Sequence, residues 1–529
     1  MVKGFRQIAL LTATSRVFGL ARDIAYGHFF GASGLLDAWI IAFRIPNLSR
    51  RLFGEGAASA SFIPVYSEQL HKDPKHAAIL ANTVVTALFV ILACLVLLGE
   101  GGIWLYRLLF VQRGEVRLIL SLSSIMLPYM LCVCGVAILA GILNVHRHFA
   151  SPAAAPIVLN LCIIGAILAT GWGFGIAPTQ QLFFVAVAVL IAGVLQIAMQ
   201  IPPLRRSGVS IRPAWDIHSE PFKKILFLMA PMIIGLTVTQ LNTLADDLIA
   251  WWFSGSDEKG QFFELLGHQI QYPMWRGSVS HLYYAQRIYQ LPLGVLGISL
   301  ATAIFPVMSA DVARRDYDAL RKTIAHGIRG TVFVAVPATA GLIIVSPTLI
   351  RAAFQHGKFT SADTSMVVGT LTFYAFGLSG YFAQQILARA FYAMQDSKTP
   401  MRSALIAVSA NLVLNLTLIW GLGRAGLACA TAVCSYLQVV ILVLVLRRRL
   451  GGFITDGLLR TFGKTIVATV VMCIAGYTLI RLAGSLPQSR GMDVLRLIAV
   501  VPSAAAVYVL VARLLRAEML SLVTARWRR

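Results

Sequence analysis

The chain has 529 residues, of which 58% are hydrophobic and only 13% are charged, and its mean hydropathy is +0.76. Soluble domains carry about 25% charged residues, so this composition excludes a soluble protein and indicates one that crosses a membrane many times. The net charge of +23 would suggest nucleic-acid binding in a soluble chain, but here the basic residues mostly occupy alternate loops. That distribution follows the positive-inside rule and argues against a nucleic-acid partner.

Long apolar runs predict membrane-spanning helices, because a helix needs about 20 apolar residues to cross a bilayer and the alternation of barrel strands is missing. Fourteen such segments are predicted, at residues 5–30, 34–66, 77–99, 117–145, 152–174, 179–201, 221–253, 279–308, 323–346, 361–393, 398–421, 425–447, 459–483 and 491–515. The first has no small-residue cleavage site, so we expect it to stay in the mature protein. The even number and the basic loops predict a multi-pass membrane protein with both termini in the cytoplasm.

Charged side chains interrupt the first two predicted helices. They are Arg16, Arg22, Asp23, Asp37, Arg44, Arg50, Arg51 and Glu55. Each arginine at the centre of a bilayer costs about 2.5–3.5 kcal/mol, so the five would cost roughly 12–17 kcal/mol if they faced hydrocarbon. We therefore expect them to line a polar cavity.

The second charged stretch is too long for one straight span. A continuous helix over 35–67 would be about 50 Å long, against a hydrocarbon core of about 30 Å. We expect a bend at Ile45-Pro46-Asn47, since proline removes a helical hydrogen bond. In helical phase Arg16 shares a face with Asp23, and the same spacing relates Asp37, Arg44 and Arg51, with Glu55 one turn further on.

An internal repeat with an offset near 245 residues organises the chain. The matching pairs are SASFIPVYS at 59–67 with LATAIFPVMS at 300–309, LYRLLF at 105–110 with LIRAAF at 349–354, and the polar turns at 144–156 and 392–404, which precede Asn160 and Asn411. The predicted fold is an all-α polytopic membrane protein with about 14 transmembrane helices. Two pseudo-symmetric six-helix lobes, 1–204 and 205–449, are followed by two C-terminal helices within 450–529. Secondary transporters are commonly built from such repeats, with the substrate site between lobes.

The excess of arginine predicts an anionic cargo. Guanidinium groups bind phosphate oxygens in bidentate fashion and stay charged at any working pH, so a diphosphate fits better than an organic cation. Arg287 adds a further arginine from the matching part of the second lobe. The alternative interpretation is structural: the arginines would be intramembrane ion pairs or side chains that reach the headgroups.

Several motifs resemble those of one known family. They are SRVFGLARD at 15–23, FGASGLLDAW at 30–39, PNLSRRLFGEGAASASFIPV at 46–65, YYAQRIYQLPLGVLGISLATAIFP at 283–306, FQHGKFT at 354–360 and FYAMQDSKTP at 391–400. The chain resembles the MurJ (MviN) lipid II flippases of the multidrug/oligosaccharidyl-lipid/polysaccharide exporter superfamily. The resemblance implies fourteen helices in two lobes, with helices 13 and 14 forming a groove for a polyprenyl tail. It also implies alternating-access export of lipid II, the undecaprenyl-diphosphate disaccharide peptide used in peptidoglycan biosynthesis.

The family's functional residues fall on matching positions of this chain. The resemblance implies that the cargo is bound by Arg16, Arg22, Arg50, Arg51 and Arg287, with Asp23, Asp37 and Glu55 as charge partners. Many relatives have Asp, and some have Glu, where this chain has Gln286 and Gln290, so no counter-ion for Arg287 can be carried over. The long connection from Trp252 to Ser278 looks like an insertion.

The resemblance also suggests how transport is driven. Some members of the family use a cation bound in the second lobe, and the candidates here are Asp246, Asp247, Asp396 and Asn411. The membrane potential is the alternative driver, worth about 2.3 kcal/mol for each elementary charge moved through 100 mV. No cofactor and no firm metal site are predicted. The expected partners are lipid II and membrane lipids, and the expected state is a monomer.

Three other functions remain open. A flippase for another polyprenyl-diphosphate glycan would need the same diphosphate chemistry, whereas a drug exporter would ordinarily carry carboxylates for organic cations. An enzyme acting on polyprenyl phosphates would need a general base or metal carboxylates. The sequence has no HExxH motif, Asp-rich metal motif or P-loop, and we therefore expect a transporter with no catalytic residues.

Overall fold

The computed structural model describes residues 2–111, 114–452, 457–483 and 489–521, and within them the side chains other than those of 2–6, 8, 9, 54–60, 231, 234–236 and 239. Most of these residues are helical. The α-helices are α1 Val2–Phe30, α2 Gly34–Ser49, α3 Ala57–Lys72, α4 Pro74–Leu109, α5 Gly114–Met126, α6 Tyr129–Val145, α7 Ala150–Leu168, α8 Pro178–Arg206, α9 Glu220–Trp252, α10 Ser278–Pro292, α11 Ile298–Ala313, α12 Tyr317–Phe354, α13 Ser361–Phe376, α14 Leu378–Ala393, α15 Lys398–Leu422, α16 Arg424–Leu450, α17 Leu458–Leu482 and α18 Arg490–Leu514. Three π-helical segments, π1 Arg50–Gly56, π2 Ala169–Gly173 and π3 Leu293–Gly297, join consecutive helices or extend them.

The prediction of an all-α, multi-pass membrane protein is confirmed. Within the described ranges, ten helices are long and apolar enough to cross a membrane, or up to eleven if α5 and α6, which meet at 42°, form one span. Each of the fourteen predicted segments has a helical counterpart. Helices α1, α2 with α3, and α9 lie outside the ten or eleven, and they carry most of the charged residues singled out above. The number of fourteen spans therefore stays a prediction.

The chain divides into two compact units, Met1–Leu244 and Ala245–Arg529. In the first, α1 packs on α7, α7 on α8, and α2 on α5. Aromatic rings fill its interior: Trp39 stacks on Phe43 with ring centroids 5.5 Å apart, and Phe43 lies 6.3 Å from Tyr129. In the second unit α15 pairs with α16, and α12 packs against both α17 and α18.

The regular α-helix of the second charged stretch ends beyond the proline, and the bend expected at Ile45-Pro46-Asn47 stays a prediction. Helix α2 passes through Pro46 to Ser49, and the irregular turn is π1, which begins at Arg50. Near the proline, Asn47 Nδ2 donates to the Phe43 carbonyl at 3.0 Å and Ser49 Oγ to the Ile45 carbonyl at 3.3 Å. These side chains bond helical carbonyls beside the proline, and the helix continues for three residues beyond it.

The second unit repeats this arrangement. Pro292 ends α10, π3 follows directly, and Pro306 lies inside α11 as Pro64 lies inside α3. Single π-turns inside helices occur frequently at functional sites, because the wider turn re-aims the side chains that it carries. In the first unit those side chains are Arg50 and Arg51.

The connection between α9 and α10 folds into two small sheets, formed by β1 Ser254–Gly255, β2 Phe262–Leu265, β3 His268–Gln271 and β4 Met274–Trp275. Strands β1 and β4 pair in parallel, and β2 and β3 form an antiparallel hairpin. The segment that looked like an insertion is therefore an ordered element.

Candidate functional site

Arg22 is held inside the first unit by a buried carboxylate and an amide. Its Nε and Nη2 donate to Asp23 Oδ1 at 3.1 and 2.8 Å, and its Nη1 donates to Asn160 Oδ1 of α7 at 3.1 Å. Asn160 Nδ2 in turn donates to the Ser15 carbonyl at 3.4 Å. The Arg22 guanidinium also lies 5.6 Å from the centre of the Tyr26 ring. Asp23 is only 4% exposed, so its negative charge compensates a cation that hydrocarbon could not accept.

The other charged residues of the first unit are distributed around this pair. Arg16 is exposed and makes no hydrogen bond or ion pair with the part of the chain that the structure describes. Arg51 is exposed too, and its Nη1 donates to Gln240 Oε1 of α9 at 3.0 Å. Arg44 and Arg50 are half-buried, and Asp37 is buried. The side chain of Glu55 lies outside the described residues.

Arg287 lies in α10 of the second unit, over an aromatic ring. Its guanidinium is 4.7 Å from the centre of the Tyr283 ring, a cation–π contact one helical turn away. Neighbouring Gln286 points elsewhere, because its Nε2 donates to the hydroxyl of buried Tyr374 at 3.1 Å. Gln286 thus binds Tyr374, at a position where the resemblance implies an acidic residue in many relatives.

Two of the four candidate cation ligands, Asp246 and Asn411, lie together deep in the second unit. Asp246 is 3% exposed and accepts a hydrogen bond from Asn415 Nδ2 at 2.6 Å. The same amide donates to Asn411 Oδ1 at 3.0 Å, and Asn411 Nδ2 donates to Thr431 Oγ1 at 3.4 Å. Asp247, the next residue of α9, is also buried. This cluster places carboxylate, amide and hydroxyl oxygens from α9, α15 and α16 in one buried region.

The structure does not bring Asp396 to that cluster. Asp396 lies in the turn before α15, where it accepts hydrogen bonds from Thr399 N at 3.0 Å and Thr399 Oγ1 at 2.6 Å, and pairs with Arg449 Nη1 at 2.7 Å. Asn411 is thirteen residues beyond Lys398 in the same helix, about 20 Å along its axis. Asp396 therefore anchors a helix start and does not share a site with Asp246.

The pKa of Asp396 gives a prediction about stability. Burial raises this pKa, but the hydrogen bonds from Thr399 and the Arg449 guanidinium outweigh burial and lower it below the ordinary value of 3.8. Its stabilising contribution is therefore fully present above pH 3.8 and is lost as the pH falls through the lower folded-state pKa. We expect Asp396→Asn to lower the melting temperature by about 1–3 °C at pH 7 and by less at pH 3.

Melting curves of the purified protein at the two pH values check this. Asp318→Asn is the matched control, since Asp318 pairs with Arg321 only three residues away and its side chain is mostly exposed. A decrease of equal size at both pH values would contradict the assignment of the effect to the charged pair.

The sequence interpretation did not identify several polar partners. Asn160 was noted only as a landmark of the repeat, yet it binds Arg22; Gln240, Asn415 and Thr431 were not singled out. A signal was present, because polar side chains inside membrane helices are costly and usually functional. Asn160 and Asn411 lie in helices that correspond in the repeat, α7 and α15, and both belong to buried polar networks.

The fold and these sites together define a multi-pass α-helical membrane protein with buried polar networks and the fold of a known transporter superfamily. A solved structure titled "Inward-facing conformation of a multidrug resistance MATE family transporter of the MOP superfamily" aligns with a TM-score of 0.62 over 84% of this chain and 98% of that one. The identity is 13%, so this likeness concerns the fold alone.

The chain belongs to the lipid II flippase MurJ family, whose model matches residues 26–486. A solved structure titled "Lipid II flippase MurJ, inward closed conformation" aligns over 99% of both chains with a TM-score of 0.74 and 26% identity. The probable lipid II flippase MurJ of Vibrio cholerae serotype O1 is 31% identical over 82% of this chain and 81% of its own length. The lipid II flippase MurJ of Burkholderia cenocepacia is 31% identical over 87% of this chain and 86% of its own.

Proposed function

We propose that this protein is a lipid II flippase of the inner membrane. It carries the lipid-linked peptidoglycan precursor from the cytoplasmic to the outer leaflet by alternating access, without changing it chemically. Membership of the family supports the cargo, and one structural observation carries the proposal: the Arg22 side chain is only 11% exposed and is held in place by buried Asp23 and Asn160. A guanidinium oriented in this way suits a diphosphate, which accepts bidentate hydrogen bonds.

Arg16, Arg22, Arg50, Arg51 and Arg287 are the proposed ligands of the diphosphate. The side chains of Arg16 and Arg51 are exposed, whereas the guanidinium group of Arg22 forms an ion pair with Asp23. When the cargo binds, its diphosphate oxygens accept some of the hydrogen bonds that the Asp23 carboxylate accepts from Arg22 in the empty protein. When the cargo leaves, Asp23 again compensates the charge, and the empty protein avoids an unpaired buried cation.

The apolar tail of the cargo requires a separate surface. Helices α17 and α18 carry many exposed apolar side chains, among them Leu482, Ile474, Leu495 and Ile498. They pack on α12 through Phe333, Met472 and Tyr508, which leaves those side chains facing outward. These helices are the proposed binding surface for the polyprenyl chain.

A monovalent cation at the cluster of Asp246, Asn411, Asn415 and Thr431 is the proposed driver of transport. The cluster supports this role because it buries a carboxylate among neutral oxygens, the kind of ligand that hard cations prefer. Within the described residues, no group of three or more His, Cys, Asp or Glu side chains that could hold a metal ion is found. The protein is proposed to work as a monomer with both termini in the cytoplasm.

Rescue of cells depleted of their own lipid II flippase tests the function. We expect the wild type to restore growth and Arg22→Ala and Arg287→Ala to fail at equal membrane abundance. Arg206→Ala is the control, because Arg206 is an exposed residue at the end of α8.

The outcomes separate the function from the site. Failure of a well-expressed wild type would contradict lipid II as cargo and favour another polyprenyl-diphosphate glycan. Rescue by both arginine variants would contradict the proposed site while leaving the flippase intact.

A further inference from the structure

The ordered connection between α9 and α10 has no role in the flippase function proposed above. We infer that the β2–β3 hairpin inserts its apolar side and its tip into the lipid headgroup region of the membrane. The inference rests on the contacts that hold this connection, on the side chains that the hairpin presents, and on the surface of α15 that it continues.

Hydrogen bonds and one cation–π contact hold the base of the hairpin in place. Backbone hydrogen bonds join Tyr272 N to the Gln261 carbonyl at 2.9 Å and Arg276 N to the Gly255 carbonyl at 2.9 Å. At the start of the connection, Lys259 Nζ donates to the Trp251 carbonyl at 3.1 Å and lies 4.3 Å from the centre of that indole ring. These contacts fix the base of the hairpin to the end of α9, so the direction in which the tip points is set.

The two faces of the hairpin differ in polarity. The register pairs Phe263 with Ile270 and Glu264 with Gln269. Because side chains alternate along a strand, one face carries Phe263, Leu265, His268 and Ile270, and the other carries Phe262, Glu264, Gln269 and Gln271. The first face is therefore mainly apolar and the second mainly polar.

The apolar side packs beside a helix surface that faces lipid. The Phe263 ring lies 6.3 Å from the Trp420 ring of α15, and Phe253 lies 5.9 Å from the same indole. Val413, Leu416 and Trp420 follow helical spacing and are all exposed, so they form an apolar stripe along this spanning helix. Tryptophan at the end of such a stripe is typical of the membrane–water interface. The apolar side of the hairpin thus continues a lipid-facing surface at headgroup level.

The tip of the hairpin, Leu266-Gly267, has a residue that is unusual in a turn exposed to water. Leu266 has φ of 52° and Gly267 has φ of 77°, so the two-residue turn has positive φ at both positions, where Asn-Gly is usual. Leu266 is nonetheless leucine and is 93% exposed, and Leu265 beside it is 52% exposed. Asparagine would suit this backbone conformation better, and a lipid surface accounts for the exposure of a leucine there.

A protein partner fits less well than lipid. A stable protein interface buries about 800 Å² on each side, whereas the tip offers two leucines, Leu265 and Leu266. The apolar surface is also continuous with the stripe on α15, a helix long and apolar enough to cross the membrane. The observations therefore favour the membrane as the occupant.

Site-specific fluorescence in lipid nanodiscs tests the inference. In a background without the seven native cysteines, a polarity-sensitive dye is attached at Leu266→Cys and, as the matched control, at Glu264→Cys two residues away on the polar side. We expect the dye at 266 to emit at shorter wavelength and to be quenched several-fold more by headgroup spin-labelled lipid than the dye at 264. Aqueous iodide should show the opposite order.

Leu265→Cys, labelled with and without Leu266→Asn, gives a second measurement in case the tip label perturbs folding. Asparagine suits the turn but removes the apolar group, so lipid quenching at 265 should fall while the melting temperature stays unchanged. Equal iodide quenching at 266 and 264 in nanodiscs would overturn the inference. If the dye at 266 were protected from iodide in native membranes but not in nanodiscs, the inference would also be overturned, in favour of a protein partner. None of these readouts uses lipid II, so they are independent of the flippase proposal.

Discussion

Arg22→Lys is expected to abolish rescue of flippase-depleted cells even though the positive charge is retained. The Arg22 guanidinium donates from three nitrogens, two toward Asp23 and one toward Asn160. A lysine ammonium is a point charge on a flexible stem and cannot reproduce that planar arrangement. Hydrogen bonds to charged groups contribute about 1.5–3 kcal/mol each, so we expect lipid II binding to weaken about 10- to 100-fold.

Binding and melting temperature should be measured on the same preparations. Lysine can still pair with Asp23, so we expect the melting temperature of Arg22→Lys to stay within about 3 °C of the wild type. Arg206→Lys makes the same substitution at an exposed position and should behave as the wild type. Asn160→Leu removes the acceptor at 3.1 Å and should weaken binding in the same direction.

Two results would contradict the role of Arg22. Full binding and rescue by Arg22→Lys would show that guanidinium geometry is not used. A large decrease in melting temperature that accounts for the loss of rescue would show that Arg22 is structural.

Asp246→Asn is expected to raise the cation concentration that flipping requires. In reconstituted vesicles without a membrane potential, the wild type should flip lipid II faster as the concentration of the coupling monovalent cation rises. The variant replaces a buried carboxylate, 3% exposed, by a neutral amide. We expect the cation concentration for half-maximal rate to rise at least about tenfold, which corresponds to about 1.4 kcal/mol.

Asp396→Asn is the matched control, because Asp396 pairs with Arg449 about 20 Å along α15 from Asn411. It should keep the dependence of the wild type. An identical cation dependence in Asp246→Asn and wild type would contradict a coupling role for this cluster. The membrane potential would then be the simpler driver.

The buried polar networks show which parts of the candidate site could be predicted from the sequence. Arginines in apolar helices were evident without coordinates, because hydrocarbon does not tolerate them. Their partners were not, since Asn160 is 138 positions away from Arg22 in sequence. No local spacing rule connects residues on different helices, and only the packing of α1 on α7 brings these two together.

Asp246 and Asp396 illustrate the same limit. Asp246 lies inside an apolar helix and Asp396 just before one, and the sequence placed both among the cation candidates. One is buried beside Asn415, and the other pairs with Thr399 and Arg449 in a turn. Their difference depends on which helix packs against each carboxylate, and this is a property of the folded chain.

Composition and hydropathy by themselves determined that this chain is helical and crosses the membrane many times, because lipid permits few other backbone structures. The order of motifs determined the family. Tertiary structure alone decided the partner of each buried charge, the start of the irregular turn at Arg50 and the ordered hairpin after α9. The physical reason is that membrane insertion is decided segment by segment, whereas ion pairs and strand pairing depend on contacts between distant segments.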